Sequence, residues 1–284
     1  MLTIRAGIVT HRAPTRRILL LNEERRTMST EQEQRNNAAR GSLRLAPNVE
    51  EIEEHKSKLP RQFVNFTFYR ARPEWRLLEE AEKARCKEDF ARTVDDFRKH
   101  LLIHTYSTVG LRTDSDFMIW RIGSDLEPMQ EMGGRLNRTA MAKYVEPMRS
   151  YLSMTKRSMF IEKNCPNHDE DRLHVVPGQT DYLFICPHVK TRDWYSRPQE
   201  QRQEMMEEHL RVGSKYRSVK LHTTYSFGLD DQEFVVAFET DKPSDFLDLI
   251  QELRETKASS FTLRDTPMFT CRQRTLAECL DALG

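Results

Sequence analysis

A chain of 284 residues, 38% apolar and 31% charged, is long enough to bury a sizeable core and too apolar for wholesale disorder. No stretch approaches the ~20 consecutive apolar residues of a membrane-spanning helix, so no membrane partner is expected. The net charge of +1 gives no general pull toward nucleic acid or acidic lipid, and neither is expected as a partner.

In chain order, residues 1–58 stand apart as a polar, flexible extension. The first 22 residues hold Arg5, Arg12, Arg16 and Arg17 and no acid, loosely like an organelle transit segment. A chain that opens at Met28 is the second reading of the same stretch. From Arg61 the pattern becomes regular. Residues 62–70 alternate Val64, Phe66 and Phe68 with Asn65, Thr67 and Tyr69, the period of a strand. Pro73 opens a helical stretch in which Phe90, Val94 and Phe97 recur at helical spacing. Strands are predicted over 101–109 and 116–122, joined by a turn at Gly110. A second helix carries Met129, Met132, Leu136, Ala140 and Tyr144 on one stripe, and a strand near 150–161 closes the set.

The same order then recurs. A strand over 181–190 is followed by a helix over 197–210 behind Pro198, strands over 219–227 and 233–239, a helix over 244–255 and a strand over 260–271. The segment H-T-Y-S-T-V-G-L at 104–111 is echoed by H-T-T-Y-S-F-G-L at 222–229, the mark of an internal repeat. An α+β fold follows, with two tandem ferredoxin-like units, 59–165 and 166–284, each β-α-β-β-α-β. Their bare sheet faces must be buried, and packing them together gives a dimeric α+β barrel within one chain. Such an interior is either filled by side chains or houses a ligand.

The chemistry is sparse. Cys86, Cys165, Cys186, Cys271 and Cys279 form no C-x-x-C pair and read as free thiols of a reducing compartment, hence a cytoplasmic protein. Cys165, His168 and His174 could be drawn as a zinc site, but the second half of any zinc spacing is missing. There is no phosphate-binding glycine loop, no G-x-S-x-G and no H-E-x-x-H. His100, His104, His188 and His222 sit at or near strands, where surface or polar-face positions are the default. His209 ends a helix and continues an apolar face with Met205, Met206 and Leu210. By pattern alone it is a satisfied core histidine more often than a metal ligand.

Three segments carry a family likeness: C-P-H-V-K-T-R-D-W-Y at 186–195, the helix ending E-E-H at 207–209, and Y-S-F-G-L-D-D at 225–231. With them the chain resembles the chlorite dismutase superfamily, which includes the coproheme decarboxylases. The resemblance covers about 62–275 in architecture and implies two ferredoxin-like units per chain. It implies that His209 is the proximal ligand of haem iron. Lys190 matches a lysine near the haem propionates, and Trp194 and Tyr195 match an aromatic pair at the pocket wall. Arg172, in D-R-L-H-V-V-P, matches an arginine of the decarboxylases, with a plain surface role as the alternative.

Two departures bear on activity. The distal arginine of chlorite-degrading members falls on Leu221, which has neither charge nor donor. A register shifted by one would present His222 instead, and strand alternation allows only one of the two to face the haem; the ungapped alignment favours Leu221. The tyrosine that decarboxylases place before the proline falls on Cys186. The acceptor for the second ring nitrogen of the proximal histidine is unassigned, its family position falling near Ala258 with Glu255 one turn earlier. The resemblance therefore implies a haem b oxidoreductase, peroxidase-like and acting on hydrogen peroxide or a related small oxidant. A coproheme decarboxylase, with coproheme as substrate and cofactor, and a non-enzymatic haem sensor or carrier are the alternatives. Relatives form cyclic pentamers or hexamers, so a cyclic homo-oligomer is expected.

Overall fold

The computed structural model describes residues 60–158, 160 and 174–284. Strand β1 (Phe63–Ala71) turns Val64, Phe66 and Phe68 to one side, each essentially buried. After a 3-10 turn at Pro73–Leu77 come helix α1 (Glu80–Asp96), strands β2 (Leu102–Ser107) and β3 (Phe117–Gly123), helix α2 (Glu127–Leu136) and strand β4 (Val145–Met154). The second half runs β5 (Tyr182–Lys190), α3 (Arg192–Ser196), α4 (Gln199–Gly213), β6 (Lys220–Tyr225), β7 (Phe234–Thr240) and α5 (Pro243–Arg254). A 3-10 turn at Lys257–Phe261, strands β8 (Thr262–Arg264) and β9 (Phe269–Gln273) and helix α6 (Leu276–Asp281) follow.

Three elements differ from the sequence-based expectation. Ala140 and Tyr144 do not extend α2, because a 3-10 turn at Ala140–Lys143 intervenes and β4 begins at Val145. Pro147 masked that strand: it lacks the amide a ladder needs, and is tolerated beside the register shift opposite Phe68 and Tyr69. The predicted last strand is split into β8 and β9 around Pro267, for the same reason. The short helix α3, carrying Trp194 and Tyr195, precedes the helix expected after Pro198.

The strands pair in the order β7-β6-β4-β1-β3-β2-β9-β5-β8, and β7 also pairs with β5, so the antiparallel sheet closes on itself. Each half contributes a four-strand run, β4-β1-β3-β2 and β9-β5-β7-β6. The seams between the runs are short: Met154 opposite Tyr225, and Tyr106 and Ser107 opposite Gln273 and Arg272. Side chains reinforce them. The Leu152 amide donates to the Asp230 carboxylate at 2.7 Å, Ser226 Oγ donates to the Leu152 carbonyl at 2.8 Å, and Arg112 donates to the Met268 carbonyl at 2.9 Å. Gly110 and Gly228 close the equivalent turns with φ of 77° and 73°, a backbone region that costs any residue with a Cβ.

The closed sheet encloses a packed core. Phe68 stacks on Phe269 at 4.0 Å and Phe66 on Trp120 at 5.2 Å, with Met118 and Ile185 buried around them. Of the two fates open to a barrel interior, this one is filled by side chains. Outside the barrel, the first half is covered by α1, α2 and the C-terminal α6, whose Leu276, Cys279 and Leu280 join Phe90 and Val94 over the sheet. Among the described residues the outer face of the second half is covered far less completely, and the candidate site lies there.

Candidate functional site

Strand alternation sorts the residues of β5 into two sets. Leu183 and Ile185 enter the barrel core, while Phe184 and Cys186 pack outward with Phe238, Phe246 and Leu249. His188 and Lys190 continue the outward set. On β6, His222 and Thr224 are buried inward and Leu221 and Thr223 are exposed outward. The predicted ambiguity between Leu221 and His222 is therefore one of faces: Leu221 lies on the outer face, 43% exposed. His222 lies inside, bonded to the Glu239 carboxylate at 2.5 Å and edge-on to Trp120. His104, its counterpart in the repeat, packs against the same tryptophan.

Helix α4 lies over this outer face and buries only Gln203 fully. His209, on its last turns, is half-buried. Its Nδ1 lies 3.1 Å from Thr256 Oγ1, and Nε2 makes no hydrogen bond among the described residues. Burial pushes its pKa down to about 4, the Lys190 cation adds to the fall, and Glu208 opposes it. The ring is neutral at pH 7, the form in which imidazole binds metals. An open surface pocket of about 530 Å³ lies beside Thr256, lined by Met205, Glu255, Lys257 and Phe261 among others, and His209 is not one of its lining residues.

Lys190 ends β5. Its ammonium donates to the Ala258 carbonyl at 2.6 Å and stands 4.9 Å from the centre of the Trp194 ring. Burial lowers its pKa to about 8, against the raising effect of Glu233. Glu233 is a hub that sequence reasoning missed. It accepts from the Lys190 amide at 2.8 Å and from the Tyr195 hydroxyl at 2.6 Å, so Tyr195 is tied down and its pKa is raised by burial and by that carboxylate. Trp194 is buried and packs against Phe261. Lys190, Trp194, Tyr195 and His209 are thus brought to one side of the molecule.

His188 was also missed. It sits on the outward set between Cys186 and Lys190, edge-on to Phe234, and burial first, then Lys190, holds its pKa near 4. The signal was present, since residues 186, 188 and 190 share a strand face. Thr256 gave none, standing 47 positions from His209. Cys186 is buried among aromatic side chains; its thiol donates to the Asp265 carbonyl at 3.2 Å, and burial, aided by Asp265, pushes its pKa up to about 12. Arg172, Cys165 and His168 lie outside the described residues. Among the described residues no cluster of three histidine, cysteine or acidic side chains could hold a metal, and no helix is long and apolar enough to cross a membrane.

Fold and site define an antiparallel α+β barrel with two neutral histidines and one lysine at the outer sheet face of its second half. The family model for chlorite dismutase matches residues 83–274, and the chain belongs to that family. It is 32% identical over 166 residues to a coproheme decarboxylase from Mycolicibacterium smegmatis, covering 58% of this chain and 70% of that protein. Chlorite dismutase from Candidatus Nitrospira defluvii, solved with imidazole, shares the fold with a TM-score of 0.71 at 22% identity, covering 78% of this chain and 94% of that one. A heme-binding protein from Thermus thermophilus gives a TM-score of 0.71 at 23% identity, covering 79% of this chain and 95% of that one.

Proposed function

We propose that the protein binds haem on the outer face of its second half, with His209 as the iron ligand, and acts as a peroxidase-like oxidoreductase. The observation that carries this reading is His209 itself: a neutral, half-buried imidazole, anchored through Nδ1 and with Nε2 unbonded, above a sheet face whose apolar residues are incompletely covered. The donor set fits the group. A flat porphyrin needs apolar surface, which Leu221, Val236 and Phe234 offer, and its carboxylates need a cation, which Lys190 offers. Bound haem supplies an iron centre able to exchange electrons with a small oxidant such as hydrogen peroxide. On the chain's side, Lys190 holds a carboxylate, Trp194 positions the lysine, and Glu233 ties the end of α3, through Tyr195, to the Lys190 amide. Leu221 contributes neither charge nor donor. The His188 imidazole is the neutral base on the sheet side, able to accept a proton at a ring nitrogen.

The two four-strand runs are read as tandem ferredoxin-like units, 59–165 and 166–284, supported by the 104–111 and 222–229 echo. A cytoplasmic location and a cyclic homo-oligomer belong to the same reading, the latter checked by sedimentation velocity. The test of function is a titration with haem b and, separately, coproheme, followed by peroxide with an electron donor. Turnover of the donor by the haem complex supports the peroxidase reading; haem exchange between proteins without turnover would mark a sensor or carrier instead.

Coproheme decarboxylation is the second reading, favoured by the mycobacterial relative and by Lys190. Cys186, where that activity would place tyrosine, is buried and protonated, which counts against it. Mass spectrometry of the coproheme complex after peroxide decides: loss of carbon dioxide from the propionates establishes it, and an unchanged mass removes it. Sustained oxygen release from chlorite is not expected, because Leu221 offers no cationic donor.

A further inference from the structure

We infer that Thr256 is a positioning residue that sets the tautomer of His209 and limits its basicity, acting as a neutral acceptor. The Thr256 hydroxyl has one proton, and it is committed to the Leu253 carbonyl at 2.7 Å, a group that can only accept. Toward His209, 3.1 Å away, the same oxygen has only lone pairs to offer. The ring proton therefore sits on Nδ1, which donates to Thr256, and Nε2 keeps its lone pair. Free histidine in water prefers the opposite tautomer, so this contact reverses an intrinsic preference.

Thr256 is rigidly held for the task. It is buried, its amide also bonds the Leu253 carbonyl at 3.2 Å, and its own carbonyl accepts from the Ser259 amide at 3.0 Å. The neighbouring carboxylate, Glu255, lines the adjoining cavity and makes no bond to His209. The acceptor thus falls between the two positions, Glu255 and Ala258, that sequence alignment brackets. A carboxylate acceptor would pull the Nδ1 proton strongly and give the ring partial imidazolate character, whereas a hydroxyl does so weakly. An iron bound at Nε2 then receives less electron density than a carboxylate-backed histidine would supply. This last consequence rests on the haem reading; the tautomer does not.

The experiment has two arms. In haem-free, 15N-labelled protein, nitrogen shifts should show His209 as the Nδ1–H tautomer in wild type and Thr256→Ser, and a majority of Nε2–H in Thr256→Val. An Nε2–H majority in wild type, or no change in the valine variant, would overturn the inference; if the valine variant does not fold, the wild-type tautomer decides alone. In the haem-loaded ferrous protein, the iron–histidine stretching frequency should rise from Thr256→Val through wild type to Thr256→Glu, with serine matching wild type. The midpoint potential should fall in the same order, and equal values in all four proteins would overturn the electronic part. An unchanged haem spectrum in His209→Ala would instead remove the haem reading and leave the tautomer result standing.

Discussion

Ile103 and Leu221 hold the same place in the repeated segment, one residue before the paired histidines His104 and His222. Ile103 is 5% exposed under α1, while Leu221 is 43% exposed. The difference comes from the helix above each sheet. Helix α1 lowers Cys86, Phe90 and Val94 onto the first sheet, and α6 adds a further layer, giving a cluster of nineteen buried apolar residues. Helix α4 buries only Gln203, and among the described residues the apolar cluster on the second outer face has five buried members. One half is finished by its own side chains. The other presents, among the described residues, apolar surface, a lysine and two neutral imidazoles, the groups on which the proposed haem reading rests.

This contrast can be broken by experiment. The largest effect is expected for His209→Ala, which should weaken haem binding by at least about 100-fold and abolish the histidine-ligated spectrum. An absorbance titration checks this, and Ile103→Ala should leave the spectrum unchanged; the reverse outcome would reassign the site to the first half. Stability should show the opposite ranking. Phe90→Ala should cost about 3–5 kcal/mol in urea unfolding, against less than about 1 kcal/mol for the exposed Leu221→Ala.

Proton linkage sharpens the comparison. His188 and His209 have folded pKa values of about 4, below the ordinary value near 6.5, so the unfolded chain binds more protons between those limits. Stability of the haem-free protein should therefore be full above about pH 6.5 and fall as pH drops toward 4, and His188→Asn should flatten that slope. Lys190, near 8, loses its charge as pH rises through that value. Affinity for haem should decline above about pH 8 by a few-fold, and Lys190→Met should be weaker throughout but flat across the same range. The smallest effect concerns Cys186: with its thiol near 12 and buried, it should resist alkylation by iodoacetamide at pH 8 in the native protein. Rapid labelling there would show that the second outer face opens more than its packing implies.

Much of this architecture was legible in the sequence, because alternation in β1, the glycine turn at Gly110 and the echo of 104–111 at 222–229 are local signals. Proline hid the start of β4 and the break between β8 and β9, since it weakens the strand pattern it interrupts. The chlorite dismutase likeness was legible from 186–195, 207–209 and 225–231, and His209 could be singled out only within that frame. The sequence by itself determined the repeat, the strand faces and hence that only one of Leu221 and His222 looks outward. Which face each takes, and which outer face is the less covered among the described residues, was decided by how the assembled elements pack. The Thr256–His209 contact, the Glu233 hub and the protonated Cys186 were likewise decided by tertiary structure alone. They join residues tens of positions apart, and burial, which shifts the pKa values of His209 and Cys186, is a property of the assembled fold and of no local pattern.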